Sequence, residues 1–204
     1  MIDLATARRV LELTLAEYSA IRSRFHSEVY YAIEEYLNGE KRITSFENRM
    51  RIAITESYND TAAVAWTDGG GEFPLDDDAK TLLNSLIAEE LSHSATLFQR
   101  LKMARKEGGV IAEIEAQVRA DGYASTLDSG YANIKAMAYG NKMLTFVGED
   151  GEESCKDCAK YKGKRHRAKW WVSHNAVPPS RDFECKGYRC QHVLVDDDGY
   201  LFTI

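Results

Sequence analysis

All four cysteines of this 204-residue chain fall in its last quarter, at Cys155, Cys158, Cys185 and Cys190. Their spacing, C-x2-C-x26-C-x4-C, constrains the fold more than any other feature. A C-x2-C pair offers two sulfurs from one tight turn, and a second pair from a distant segment completes a tetrahedral shell around one Zn²⁺. The spacing therefore predicts Cys155, Cys158, Cys185 and Cys190 as ligands of a single structural zinc. Four thiolates leave no open coordination position, so the expected role of the ion is folding, not hydrolysis. His166, His174 and His192 are substitute donors in the same region, and His192 is the nearest, two residues beyond Cys190.

The compartment supports metal over disulfides. The start, MIDLATARRV, lacks the basic stretch, apolar stretch and cleavage site of a signal peptide. No run of about 18 apolar residues suggests a membrane span. The expectation is a reducing cytoplasm, where paired cysteines hold metal more often than they form disulfides.

Net charge is −6 and unevenly spread. Residues 155–192 hold ten Lys or Arg against Asp157, Asp182 and Glu184, a local +7, which a zinc bound by four thiolates lowers to +5. Asp196, Asp197 and Asp198 make the last twelve residues −3, leaving −10 on the first 154. The acidic bulk is poorly suited to general nucleic-acid binding, whereas the cysteine region suits a phosphate backbone or simply balances the thiolates.

Apolar spacing of three and four predicts a helix over about 3–37, with Leu11, Leu15, Tyr18, Ile21, Phe25, Val29, Ala32 and Tyr36 inward. Thr44 and Glu47 read as a capping box opening a second helix, whose buried stripe is Phe46, Met50, Ala53, Ser57, Thr61 and Val64. Asp68-Gly69-Gly70-Gly71 ends it in a flexible loop. Asp76–Asp78 opens a third helix running to about Lys106, with Leu83, Leu86, Ile87, Leu91, Leu97, Phe98 and Leu101 inward. Two shorter helices follow, about 110–120 (Ile111, Ile114 and Val118 inward) and 126–139, separated at Gly122. The period then changes. Met143–Val147 reads as a strand, and 191–195 with 199–204 as a β-hairpin. The fold class is a mainly α N-terminal helical domain, 1–141, carrying a small C-terminal α+β zinc-binding domain, 142–204, that ends in a β-hairpin.

Other chemistry is sparse. Trp170-Trp171 follows the basic run Lys162–Lys169; such a pair stacks nucleic-acid bases or, more commonly, packs a small core. A His-Asn-His-type nuclease would need His174 on a strand as general base and a metal-binding His on a following helix, and the only later His is His192, at a strand start. Glu89-Glu90 with His93 have i, i+3/i+4 spacing for a metal face but lack a matching second motif. The glycine triplet lacks a following Lys-Ser/Thr and is no phosphate loop. No catalytic constellation emerges.

Phe146–Leu194 resembles the C-terminal motif of phage minor head proteins, the head-morphogenesis family that includes the phage Mu F-like and SPP1 minor head proteins. The pieces are C155-KD-C158-AKYKG163, W170-W171 and VPPSRDFEC185-KGYRC190-QHVL, and the closing C-x-G-[YFW]-[RH]-C pattern is the most specific. Met50–Trp66, MRIAITESYNDTAAVAW, is similar to that family's helix with an IA-x-TE core. Together these stretches cover about 65 residues. Ser180-Arg181 stands where the commoner closing pattern has His-Pro, which leaves the fourth metal ligand open. The resemblance implies a non-enzymatic virion protein in the phage head, present in the host cytoplasm during assembly and acting in head morphogenesis or genome delivery. Its implied partners are the portal or major capsid protein, and neither a membrane nor a small-molecule substrate; the local +7 separately suggests packaged DNA against the basic 156–189 region. A zinc-dependent nucleic-acid-binding module is the alternative, and the His-Asn-His-type nuclease the next.

Overall fold

The structure, a computed structural model, describes residues 4–107, 113–148, 155–186, 190 and 192–199. The chain is mainly helical. In order it forms α1 (Leu4–Leu37), α2 (Ile43–Asp68), α3 (Asp77–Glu107), α4 (Glu113–Tyr139), β1 (Met143–Val147), α5 (Lys156–Tyr161), β2 (Arg165–Arg167), α6 (Ala168–Ser173) and β3 (Val193–Val195). It divides into two compact units, 1–61 with 80–127 and 62–79 with 128–204.

In the first unit the helices bury the stripes their spacing implies. Tyr18, Ile21, Phe25, Val29, Ala32 and Tyr36 of α1 are buried, as are Phe46, Met50, Ala53, Ser57 and Thr61 of α2. Ile33 joins them, while Leu15 stays exposed, contrary to expectation. Tyr36 stacks on Phe46 at 5.2 Å and Phe98 meets Phe46 edge-on at 5.1 Å. The second helix begins at Ile43, so Thr44 lies inside its first turn instead of capping it. In α3, Leu83, Leu97 and Leu101 are buried, but Leu86, Ile87, Leu91 and Phe98 only partly.

The two helices expected over 110–120 and 126–139 are one, α4. A glycine inside a helix costs only about 1 kcal/mol, and Gly122 sits where an added methyl would meet nothing within 4 Å. Ala116, Ala120 and Ala124, all buried at i, i+4 spacing, give α4 a flat face for close packing. Val118, expected inward, is 55% exposed. Ile111 lies outside the described residues. Glu90 is a larger surprise, because it is buried on the inner face of α3. The Tyr58 hydroxyl lies 3.5 Å from Glu90 Oε2 and 3.3 Å from Thr126 Oγ1.

The second unit differs from the expected boundary at 141/142 by taking in the end of α2 and the later half of α4. Its contacts give the reason. Asp68, at the end of α2, pairs with Lys135 of α4 at 2.6 Å and accepts a 2.6 Å hydrogen bond from the Tyr131 hydroxyl. Gly69 is buried, and a side chain there would run into Ala138 and the Lys135 carbonyl. Gly71 packs under the Trp66 ring, whose N–H donates to the Glu72 carbonyl at 2.9 Å. The glycine triplet is thus a packed corner and not a loose linker.

Beyond α4 lies a three-stranded antiparallel sheet in the order β2-β1-β3. Side chains alternate across a strand, and Leu144 and Phe146 of β1 are the pair turned into the core. Register pairs Leu144 with His166 and Val147 with Val193. From residue 200 onward the expected hairpin lies outside the described residues; its first strand, β3, pairs with β1.

Candidate metal centre

The core under the sheet is aromatic because so small a unit has little aliphatic surface to bury. Phe146 is its hub, with ring centroids of Tyr161, Trp171, Phe183 and His192 at 6.1, 5.7, 6.2 and 5.3 Å. Trp171 is buried and its indole N–H donates to the Leu144 carbonyl at 3.2 Å.

On this base stand the cysteines. Cys155 is extended at the N-cap of α5, and its sulfur accepts from the Cys158 N–H at 3.4 Å. One turn of helix therefore aims both sulfurs the same way. Gly163, at φ +72, closes the segment, and its N–H donates to the Phe146 carbonyl at 2.8 Å, tying α5 to β1. A left-handed residue suits glycine because it has no Cβ to clash.

Cys185 arrives from a distant loop fastened by a reciprocal pair of hydrogen bonds. The Lys156 N–H donates to Glu184 Oε2 at 3.1 Å, and the Glu184 N–H donates to Asp157 Oδ2 at 2.8 Å. The chain then turns back through Lys186, whose N–H donates to the Phe183 carbonyl at 2.8 Å.

The donors form two overlapping groups. Cys155, Cys158 and Cys185 offer sulfurs within 4.8 Å of one another, and Cys158, Cys190 and His192 do the same with two sulfurs and an imidazole nitrogen. Cys158 belongs to both groups, and its sulfur lies 4.0 Å from that of Cys190. Thiolates bound tetrahedrally at about 2.3 Å from one ion stand about 3.8 Å apart, so the 4.0 Å between the Cys158 and Cys190 sulfurs is close to what a metal requires. All four predicted cysteines are in the cluster, and His192 is in it as well.

The thiols respond to this crowding in opposite directions. Burial works against a Cys155 thiolate, but the Cys158 and Cys185 N–H groups and thiols outweigh it and hold Cys155 below its ordinary value. Burial pushes the Cys158 thiol well up, reinforced by the Cys155 hydrogen bond and by negative charge on Cys190, Cys155 and Cys185. A cation is what would let all of these sulfurs carry charge together.

Two other histidines have different surroundings. His166 and His174 stack on opposite sides of Trp170, with centroids at 3.6 and 3.9 Å and planes within 20°. His174 caps α6 and its Nδ1 lies 2.9 Å from the Trp170 carbonyl oxygen. Trp170 thus has an imidazole on each face and none left for a base. Arg165 forks onto Asp197 with two 2.7 Å contacts, and Lys169 reaches Asp78 at 3.4 Å. The Lys160 and Lys164 ammonium groups lie 5.0 and 5.5 Å from the Tyr161 ring centre. Among the described residues the Glu89, Glu90 and His93 set forms no metal cluster. No helix among the described residues is long and apolar enough to cross a membrane.

Comparison with protein-family models, with curated proteins and with solved structures finds no match to this chain.

Proposed function

We propose that this chain is a minor head protein of a phage or prophage, carried in the virion head and present in the host cytoplasm during assembly. The helical residues dock on the portal or major capsid protein, and the C-terminal residues fold around one structural zinc. The reading rests on one observation. The C-x2-C pair and the closing C-K-G-Y-R-C element, the most specific pieces of the resemblance, converge on one cluster of metal-binding donors. Zinc is the ion proposed because it is redox-inert, favours tetrahedral sulfur and nitrogen ligands, and commonly holds small units together. A shell filled by protein side chains has no place for water, so no hydrolytic step is proposed.

The test is co-expression with the portal and major capsid proteins of the genome that encodes the chain. The expected result is a few copies per purified head. Heads that assemble normally and contain none would overturn the proposal.

A second reading, contact with packaged DNA, is favoured by the exposed cations Lys160, Lys162, Lys164 and Arg167. It is tempered by Asp197 and Asp78, which neutralise Arg165 and Lys169. DNA binding by the full chain should weaken with salt by about 0.9 log unit per phosphate contact for each log unit of salt. Salt-independent or absent binding would contradict it.

A further inference from the structure

Two groups of three donors share Cys158, five donors in all, whereas a tetrahedral ion accepts four. We infer that His192 is a true ligand, exchanging with Cys190 for the fourth position on an ion held by Cys155, Cys158 and Cys185. The inference rests on the zinc reading and adds to it a ligand and a choice between two shells.

Position comes first. The register that pairs Val147 with Val193 places His192 opposite Gly148, directly before β3. Its backbone is therefore anchored by the sheet. The nitrogen it offers lies within 4.8 Å of the Cys158 and Cys190 sulfurs.

Orientation comes second. His192 is 5% exposed, and its imidazole stacks on Phe146 with planes 29° apart. On the side of Gly148 it occupies the space that any Cβ would fill. A ring packed in this way has little rotamer freedom left to lose, and a preorganised donor binds more tightly than a mobile one.

Chemistry comes third. Neutral imidazole is a good zinc ligand, and three thiolates with one imidazole is a common structural shell. Exchange, with a proton from solvent taken up by the released Cys190 thiolate, changes the formal charge of the loaded site from −2 to −1 and leaves the Cys190 thiol outside the shell. The ion would then survive the loss of Cys190, a behaviour that a strict four-cysteine site lacks.

The test uses Co²⁺ as the probe, in the full chain and in Cys190→Ser, His192→Ala and the double variant. Uptake is followed by the cobalt ligand-field bands, and helix content by circular dichroism. The wild type and both single variants should each take up one Co²⁺ per chain. In Cys190→Ser the bands should move to shorter wavelength, as nitrogen replaces sulfur, and in His192→Ala they should keep an all-sulfur position. The double variant should lose uptake while its helices remain. Gly148→Ala should weaken binding more in the Cys190→Ser background than in the wild type, because only there is the imidazole indispensable. A Cys190→Ser chain that takes up no cobalt would overturn the inference. So would a double variant that binds as tightly as Cys190→Ser alone. A wild type that takes up none would remove the zinc reading itself, which separates the two failures.

Discussion

Gly148 and His192 face each other just beyond the paired ends of β1 and β3, and the imidazole fills the volume a side chain at Gly148 would need. The glycine is required for space, at a point where two strands and a candidate ligand meet. Gly148→Ala should destabilise the second unit by about 1–3 kcal/mol, the usual cost of overpacking. Thermal unfolding monitored by tryptophan fluorescence, which reports Trp66, Trp170 and Trp171, all in the second unit, checks it. An unchanged midpoint would mean that the ring has room to move.

The Asp68–Lys135 pair is a buried ion pair, with side chains 9% and 11% exposed. Removing one partner strands the other charge, so Asp68→Ala should cost about 3–5 kcal/mol. Asp68→Asn with Lys135→Met, which removes both charges, should cost much less. Urea unfolding of the two single variants and the double variant gives the coupling.

Tyr131 adds a pH dependence to the same place. Burial, then the hydrogen bond and charge of Asp68, raise its phenol above the ordinary value. The folded chain keeps a proton that the unfolded chain releases above about pH 10. This stabilisation is fully present below that pH and is lost as pH rises towards the folded value. The urea midpoint should therefore fall on going from pH 9 to 11, and more steeply in the wild type than in Tyr131→Phe. Parallel slopes would contradict this.

The hydrogen bonds between α5 and the Cys185 loop orient the candidate ligands Cys155, Cys158 and Cys185 from outside the donor group. Glu184→Ala and Asp157→Ala should each weaken zinc binding by about 10-fold or more, in the range found for groups behind a metal's own ligands. Asp157→Asn keeps an acceptor and should stay near the wild type. Competition with a coloured chelator measures all three.

Much of this molecule is legible in its sequence, for identifiable reasons. The α2 stripe follows from six positions spaced three and four apart, all of them buried. That the cysteines come together follows from their spacing, because two close pairs on distant segments suit a shared metal ion. The continuity of α4 is less legible, since Gly122 is locally a stop signal and the burial of Ala116, Ala120 and Ala124 is a tertiary feature. Glu90 reads as solvated charge when taken singly. Its signal was its place seven residues after Leu83 and seven before Leu97, on the same buried face. The packing of the end of α2 on the later half of α4 is not legible, because Asp68, Tyr131 and Lys135 are far apart in sequence yet form one buried network. Gly148, directly after an apolar strand, carries the general signal for a group approaching closely.

Native mass spectrometry of the purified chain, with and without a zinc chelator, tests the metal centre most directly. The expected result is one zinc per chain, lost on chelation together with the tryptophan signal of the second unit while most helical circular dichroism remains. A chain that carries no metal, keeps its tryptophan signal in chelator and has four freely reactive thiols would contradict it.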